Sequence, residues 1–206
     1  MPVLAPRMPG KLAKAAFELF SERGFRHVNL DAIAARAGVT KGSLYHHYGS
    51  KKELVLAGCR HYYQQWHQHT QAQIASLTKP LERLATVLSS SVRTCVIDEK
   101  NRVFTTEIFA LALSDPDVRA GWAQFYGSVR ETYVGLVQAA KAAGKLDVDD
   151  PRRATDLMLA TMEGIKQRAS FEPEISDPAE QQAIVADLLG ILGARSSART
   201  AASVVP

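Results

Sequence analysis

Five side chains within seven residues can hydrogen-bond or attract an anion: Lys41, Ser43, Tyr45, His46 and His47. Such groups suit phosphates and the edges of nucleic-acid bases, which present acceptors and negative charge. The first 52 residues hold nine lysines and arginines against three acids, whereas the remainder holds 16 basic and 18 acidic residues. This asymmetry indicates a polyanionic partner at one end of the chain, and a charge bias that only aids solubility is the alternative.

Two short helices joined by a tight turn position these side chains. Residues 30–47 read LDAIAARAGVTKGSLYHH, and the apolar spacing predicts helices over 30–36 and 41–47. Gly38 permits the reversal between them, and Leu44 docks the second helix on the first. This is the helix-turn-helix pattern, in which the outer side of the second helix can enter a DNA major groove.

The rest of the chain follows the same helical pattern. Ser50 and Glu53 are spaced as a capping box at the start of a long helix. No segment shows sustained two-residue alternation, so we predict an all-α fold of about nine helices. Residues 1–7 and 195–206 are expected to be flexible tails. The other predicted helices cover residues 11–23, 51–76, 80–98, 101–113, 116–143, 151–170 and 178–193.

The N-terminal quarter resembles the TetR family of bacterial transcriptional regulators. The similar segments are AAFELFSERGF (15–25), LDAIAARAGVTKGSLYHHYGSK (30–51) and the pair Glu53-Leu54. Beyond about residue 60 only the number and layout of helices are similar. The resemblance implies a helix-turn-helix DNA-binding domain over 8–52 and an effector-binding and dimerisation domain over 53–194.

The resemblance also implies roles for individual residues. Tyr45 and Lys51, with Thr40, would hold phosphates, while Lys41 would face base edges and Gly42 would allow close approach. Each of these residues taken alone is also compatible with a solvated or packing role. The residues that the resemblance assigns to DNA contact are Asn29, Thr40, Lys41, Gly42, Ser43, Tyr45, His46, His47 and Lys51.

Aromatic and methionine residues recur at helical spacing in the middle of the chain. Plain core packing explains such stripes, and a mostly apolar effector pocket is the functional interpretation. Glu163 lies in an apolar part of its helix, where it would neutralise a cationic effector or face solvent. The candidate pocket residues are Trp66, Phe104, Ile108, Trp122, Tyr126, Tyr133, Met158, Met162 and Glu163.

The last two helices are the expected dimer interface, because one offers small residues and the other a broad apolar face. The resemblance implies that these two helices pair with their copies. A two-fold dimer would present two recognition helices about one DNA turn apart, on an inverted-repeat operator. The candidate interface residues are Ala154, Thr161, Ile184, Val185, Leu188 and Leu192.

Other chemistries find little support. His61, His67 and His69 lack the spacing of three or four residues that a shared metal needs on a helix, so no metal is expected. No catalytic motif or cofactor signature occurs, which argues against an enzyme. Two cysteines and no long apolar run favour a cytoplasmic protein without a membrane span.

These observations predict a homodimeric transcriptional repressor in the cytoplasm, released from a palindromic operator by a small, largely apolar effector. A non-specific architectural DNA-binding protein without an effector is the alternative.

Overall fold

The computed structural model describes residues 8–194 and is helical almost throughout. These residues contain nine α-helices and one isolated antiparallel bridge, between Leu146 and Ala194, so the predicted all-α fold is confirmed. The predicted tails, 1–7 and 195–206, lie outside the described residues. The helices are α1 (Met8–Arg23), α2 (Leu30–Ala37), α3 (Lys41–His47), α4 (Lys51–Ile74), α5 (Pro80–Val92), α6 (Glu99–Ser114), α7 (Pro116–Ala142), α8 (Pro151–Arg168) and α9 (Gln181–Ile191).

Local capping explains why the N-terminal helices begin and end where they do. The Asn29 side chain accepts the Ala32 amide at 2.8 Å and begins α2. Gly38, at φ 68°, ends α2 in the left-handed conformation that glycine adopts without strain. The predicted capping box forms in part. Ser50 accepts the Glu53 amide at 3.2 Å, and the Glu53 carboxylate reaches back to accept the Gly49 amide at 3.0 Å instead of the Ser50 amide.

Two predicted helices are shorter than expected. The helix predicted over 80–98 ends at Val92 and continues as a π-helical turn, Arg93–Ile97, in which the Asp98 amide donates to the Arg93 carbonyl. The helix predicted over 178–193 begins only at Gln181. Pro178–Glu180 form a 3₁₀ turn instead, in which the Glu180 amide donates to the Asp177 carbonyl at 2.9 Å, and the Asp177 side chain caps the turn by accepting the Ala179 amide at 2.9 Å.

The described residues form two compact units that are not continuous in sequence. The first takes in the residues up to His67 together with Val103–Phe125, and the second takes in Gln68–Arg102 together with the residues from Tyr126 onward. The core of the first unit is built from α1 to α4 and from the α6 and α7 residues that pack on them. Its large buried side chains include Leu12, Leu19, Phe20, Phe25, Ile33, Leu44, Leu54, Tyr62, Phe104 and Ile108.

The second unit is centred on α5, α8, α9 and the larger part of α7. Tyr133 of α7 is fully buried there, and its hydroxyl donates to Ser91 Oγ at 2.7 Å. After α9, the Gly193 carbonyl accepts the Asp147 amide at 3.0 Å and joins the loop after α7 to the segment that follows α9. None of the helices in residues 8–194 is both long and apolar enough to cross a membrane.

Candidate nucleic-acid interface

The predicted recognition helix α3 exposes nearly all of its side chains. Leu44 is its buried residue, at 0% exposure, and belongs to the core of the first unit. Tyr45 is 48% exposed although it is a large ring, and Lys41, His46 and His47 are exposed as well. An exposed helix held by one buried leucine is suited to enter a groove, because its outer face is not used for packing.

The two predicted contact residues at helix starts also act as caps. The Thr40 oxygen accepts the Ser43 amide at 3.1 Å, and Asn29 Oδ1 accepts the Ala32 amide. A hydroxyl that accepts one hydrogen bond still has its proton to donate, and the asparagine amide keeps its two N–H groups. Both side chains can therefore cap a helix and donate to a phosphate at the same time.

Lys41 is held by a carboxylate that the sequence analysis did not identify. Its Nζ lies 2.8 Å from Asp31 Oδ1, and the hydrogen bond to Asp31 raises the pKa of Lys41. Both side chains are more than half exposed, so the pair is screened and weak. If Lys41 contacts DNA as predicted, the duplex must compete with Asp31 for this ammonium group.

We expect Asp31→Asn to tighten binding to every duplex by about two- to tenfold at low salt, because it frees Lys41 and removes a charge that repels phosphates. Fluorescence anisotropy over a salt series measures the change. The control Glu99→Gln removes one exposed acid from the start of α6 and should leave affinity close to that of the parent. Weaker binding by Asp31→Asn would show that the Asp31–Lys41 pair positions the lysine for DNA rather than competing with it.

Lys51 stands at the N-terminus of α4, where it was predicted to hold a phosphate. It is half-buried, no carboxylate pairs with it in residues 8–194, and its partial burial lowers the pKa of the ammonium group. A phosphate would oppose that effect, because an anion near a desolvated cation favours the charged form. The free amides at the start of α4 favour the same anion.

Polar contacts attach the segments on either side of the helix-turn-helix to α6 and to the start of α7 within the first unit. The Glu107 carboxylate accepts the Phe25 amide at 3.1 Å, and Lys52 Nζ lies 3.0 Å from Asp115 Oδ1 and 2.5 Å from Asp117 Oδ2. No local sequence pattern predicts these contacts, because the partners are 63 or more positions apart in the chain.

The predicted effector-pocket residues are divided between the two units. Phe104 and Ile108 are fully buried in the core of the first unit. The same unit holds Trp66 and Trp122, and the Trp122 ring lies 4.6 Å from that of Phe125 between centroids, with the two rings tilted by 33°. The second unit holds the other five, which are Tyr126, Tyr133, Met158, Met162 and Glu163. Full burial of Phe104 and Ile108 in this core agrees with the alternative interpretation of plain packing, and their pocket role stays a prediction.

Glu163 has a partner that changes its expected role. Its Oε2 lies 2.5 Å from Nζ of Lys166, whose side chain is 2% exposed. Burial raises the pKa of the nearby Tyr126 phenol, and the Glu163 carboxylate raises it further. The charge expected to neutralise a cationic effector is therefore already balanced within the chain. The spacing of three residues between Glu163 and Lys166 is the sequence signal that predicts such a pair.

The predicted dimer residues differ in accessibility. Leu188 and Leu192 are 0% exposed within one chain, and Ile184 and Val185 are also buried, so these four leave little side chain for a second copy. Ala154 and Thr161 are partly exposed. The apolar surface that remains open on α8 and just after it includes Leu157, at 59% exposure, and Phe171, at 71%.

Comparison with known proteins agrees with this geometry. Residues 12–57 match the family model of bacterial regulatory proteins of the tetR family, and residues 80–193 match that of the BetI-type transcriptional repressor C-terminal domain. The second match alone covers more than half of the chain.

Individual relatives are similar over different lengths. The repressor KstR2 of Mycobacterium tuberculosis is 37% identical over 82 residues, which is 40% of this chain and 41% of KstR2. The regulator UidR of Escherichia coli is 26% identical over 188 residues, covering 89% of this chain and 92% of UidR.

The fold agrees with a solved structure of a transcriptional regulator from Saccharomonospora viridis in complex with choline. The TM-score is 0.75 at 15% identity, covering 88% of this chain and 93% of the other. The exposed recognition helix, the all-helical body and the two family matches together identify the chain as a member of the TetR family of DNA-binding transcriptional regulators.

Proposed function

We propose that this regulator is a homodimeric repressor that leaves an inverted-repeat operator when a small, largely apolar effector binds. The observation that carries the proposal is α3, a recognition helix whose basic and polar side chains stand exposed while Leu44 holds it to the core. Repressor action is supported by the BetI-type repressor match and by the repressor KstR2. A cytoplasmic location follows from the need to reach the chromosome.

In the proposed homodimer, the exposed face of α8 contacts a second copy of the chain. Leu157, Ala160 and Gly164 are exposed and share one side of the helix. Small residues let two helices approach closely, and an exposed leucine gains free energy when a second copy covers it. The dimer would set two α3 helices about one DNA turn apart, which requires a two-fold symmetric operator.

Effector control needs only a modest coupling free energy. A coupling of about 1–3 kcal/mol between effector and DNA changes operator affinity ~5- to 150-fold. The structure of the Saccharomonospora viridis regulator contains a small molecule, choline, in the same fold, which supports effector binding here. The Glu163–Lys166 pair argues against a cation held by Glu163, and an apolar effector is compatible with Met158 and Met162.

Two substitutions separate base reading from phosphate binding. We expect Lys41→Ala to weaken operator binding by about 1–3 kcal/mol and to relax the preference for the operator over a scrambled duplex. Lys51→Ala should weaken both duplexes alike and reduce the dependence on salt by about one phosphate contact. Lys145→Ala removes an exposed charge between α7 and α8 as the control. If both variants bind the operator as tightly as Lys145→Ala does, the DNA-contacting surface lies elsewhere on the protein.

The experiment that tests the function is an anisotropy titration with the duplex upstream of the protein's own gene and a scrambled duplex, at one near-physiological salt concentration. A preference of ~10³ or more for the upstream duplex establishes a specific regulator, and the labelled duplex then reports release by candidate effectors. The alternative of a non-specific architectural DNA-binding protein would be favoured by a different result. In that case the upstream duplex, the scrambled duplex and genomic fragments would bind equally, and affinity would fall steeply with salt.

A further inference from the structure

A polar cavity lies within the second unit, apart from the residues of the predicted effector pocket. It has a volume of about 380 Å³ and lies between the end of α4, the C-terminal half of α5 and the turn that leads into α9. This volume falls in the range of small-molecule sites. None of the residues that line it belongs to the aromatic and methionine set considered above.

Three lining residues contribute buried polar atoms that have no hydrogen-bond partner in the described chain. These atoms are Gln73 Oε1, Thr86 Oγ1 and Ser90 Oγ, and the Ser90 residue is only 3% exposed. Buried polar atoms are normally satisfied, so each exception requires an explanation. A hydrogen-bonding molecule in the cavity, reached by small rotations of these side chains, would give all three atoms a partner.

One residue sets the charge of this cavity. Arg93 is the charged residue among those that line it, and no carboxylate lines it. Arg93 is also the first residue of the π-helical turn, a conformation that is uncommon and is frequently found at functional sites. A guanidinium group at a cavity that lacks acids favours an anion, and it can bind a carboxylate through two parallel hydrogen bonds.

The wall of the cavity is held in place before any ligand enters. Gln181, the first residue of α9, donates from Nε2 to the Ser89 carbonyl at 3.1 Å and to Ser89 Oγ at 2.9 Å. These bonds fix the start of α9 against α5. Because the Ser89 hydroxyl accepts from Gln181, its own proton remains available for a ligand.

We propose that this cavity binds a small organic anion that carries hydroxyl groups. The carboxylate of the ligand pairs with Arg93. Its hydroxyl groups hydrogen-bond with Ser90 and Thr86 and donate to the Gln73 side-chain oxygen. The site is distinct from that of the apolar effector. Its ligand would contact α4, α5 and α9, so ligand binding can be measured in the absence of DNA.

The test compares sodium gluconate with sorbitol, which has the same carbon chain but no carboxylate, at matched ionic strength. Gluconate at about ten times its Kd should raise the Tm of the full-length protein by ~3–6 °C, and sorbitol should not. Arg93→Gln should weaken gluconate binding at least tenfold by calorimetry, and Ser90→Ala should weaken it severalfold. Ser90→Ala should also leave the ligand-free protein as stable as the parent, because the lost hydroxyl had no partner.

Lys145→Gln is the charge-matched control and should bind gluconate like the parent. Three results would overturn the proposal. The first is that the protein binds none of gluconate, tartrate and citrate. The second is that it binds sorbitol as well as gluconate. The third is that Arg93→Gln and the parent have equal affinity for gluconate. A failure here leaves the operator titration unaffected, because no DNA is present in this assay.

Discussion

Phe104→Ala should reduce the free energy of unfolding by about 3–5 kcal/mol. The Phe104 side chain is 0% exposed, and its ring centroid lies 4.7 Å from Phe17, 5.8 Å from Tyr62 and 6.0 Å from Phe25. Truncation removes these contacts and leaves a cavity that rigid neighbours fill poorly. Urea unfolding at fixed protein concentration, followed by tryptophan fluorescence, measures the loss.

The matched control for this experiment lies on the same helix. Phe109 is 48% exposed, so Phe109→Ala removes the same side chain with little cavity and should cost about 0.5 kcal/mol or less. A small loss for Phe104→Ala, combined with a changed response to an effector, would instead support the pocket role predicted from sequence. The two outcomes separate core packing from ligand contact at this position.

Gly193→Ala is expected to be the most damaging single-methyl change in the second unit, at roughly 3–5 kcal/mol. Gly193 has φ 75°, and a Cβ there would lie 2.3 Å from the Asp147 carbonyl oxygen and 2.7 Å from its carbon. The positive φ strains an L-residue, and the close contact would force the backbone at Gly193 and Asp147 apart. The hydrogen bond from the Asp147 amide to the Gly193 carbonyl would be disturbed as well.

Gly144→Ala separates these two causes. Gly144 has φ 67°, but a Cβ there would meet nothing within 4 Å, so only the conformational strain of about 1–2 kcal/mol applies. Thermal unfolding should therefore show a much lower Tm for Gly193→Ala than for Gly144→Ala. Equal Tm values would mean that the loop around Asp147 moves aside at little cost.

The boundaries of α2 and α3 were predictable because they depend on neighbouring residues, unlike the end of α5 and the start of α9. Asn29, Gly38 and Thr40 act within three or four positions of themselves, and the structure confirms the expected bounds of α3 to the residue. The resemblance to the TetR family was predictable for the same reason, since the helix-turn-helix is one continuous segment.

The remaining features depend on contacts between distant residues. The Asp31–Lys41 pair spans ten positions across a turn, and the Glu107–Phe25 hydrogen bond spans 82. The sequence places Phe104 on an apolar stripe, but whether such a stripe packs in a core or lines a pocket depends on what lies opposite. The DNA contacts and the dimer face stay predictions until they are measured.

The discontinuous first unit limits how these regulators can be recombined. A chimera that joins residues 1–67 of this chain to the body of a relative would place Phe17, Phe25 and Tyr62 against a foreign residue at position 104. The exchange would also lose the acceptors for the Phe25 amide and the Lys52 ammonium, which come from Glu107, Asp115 and Asp117. A transferable DNA-reading cassette must therefore carry Val103–Phe125 along with the N-terminal segment, and engineered sensors that exchange only the first 57 residues should express as poorly folded protein.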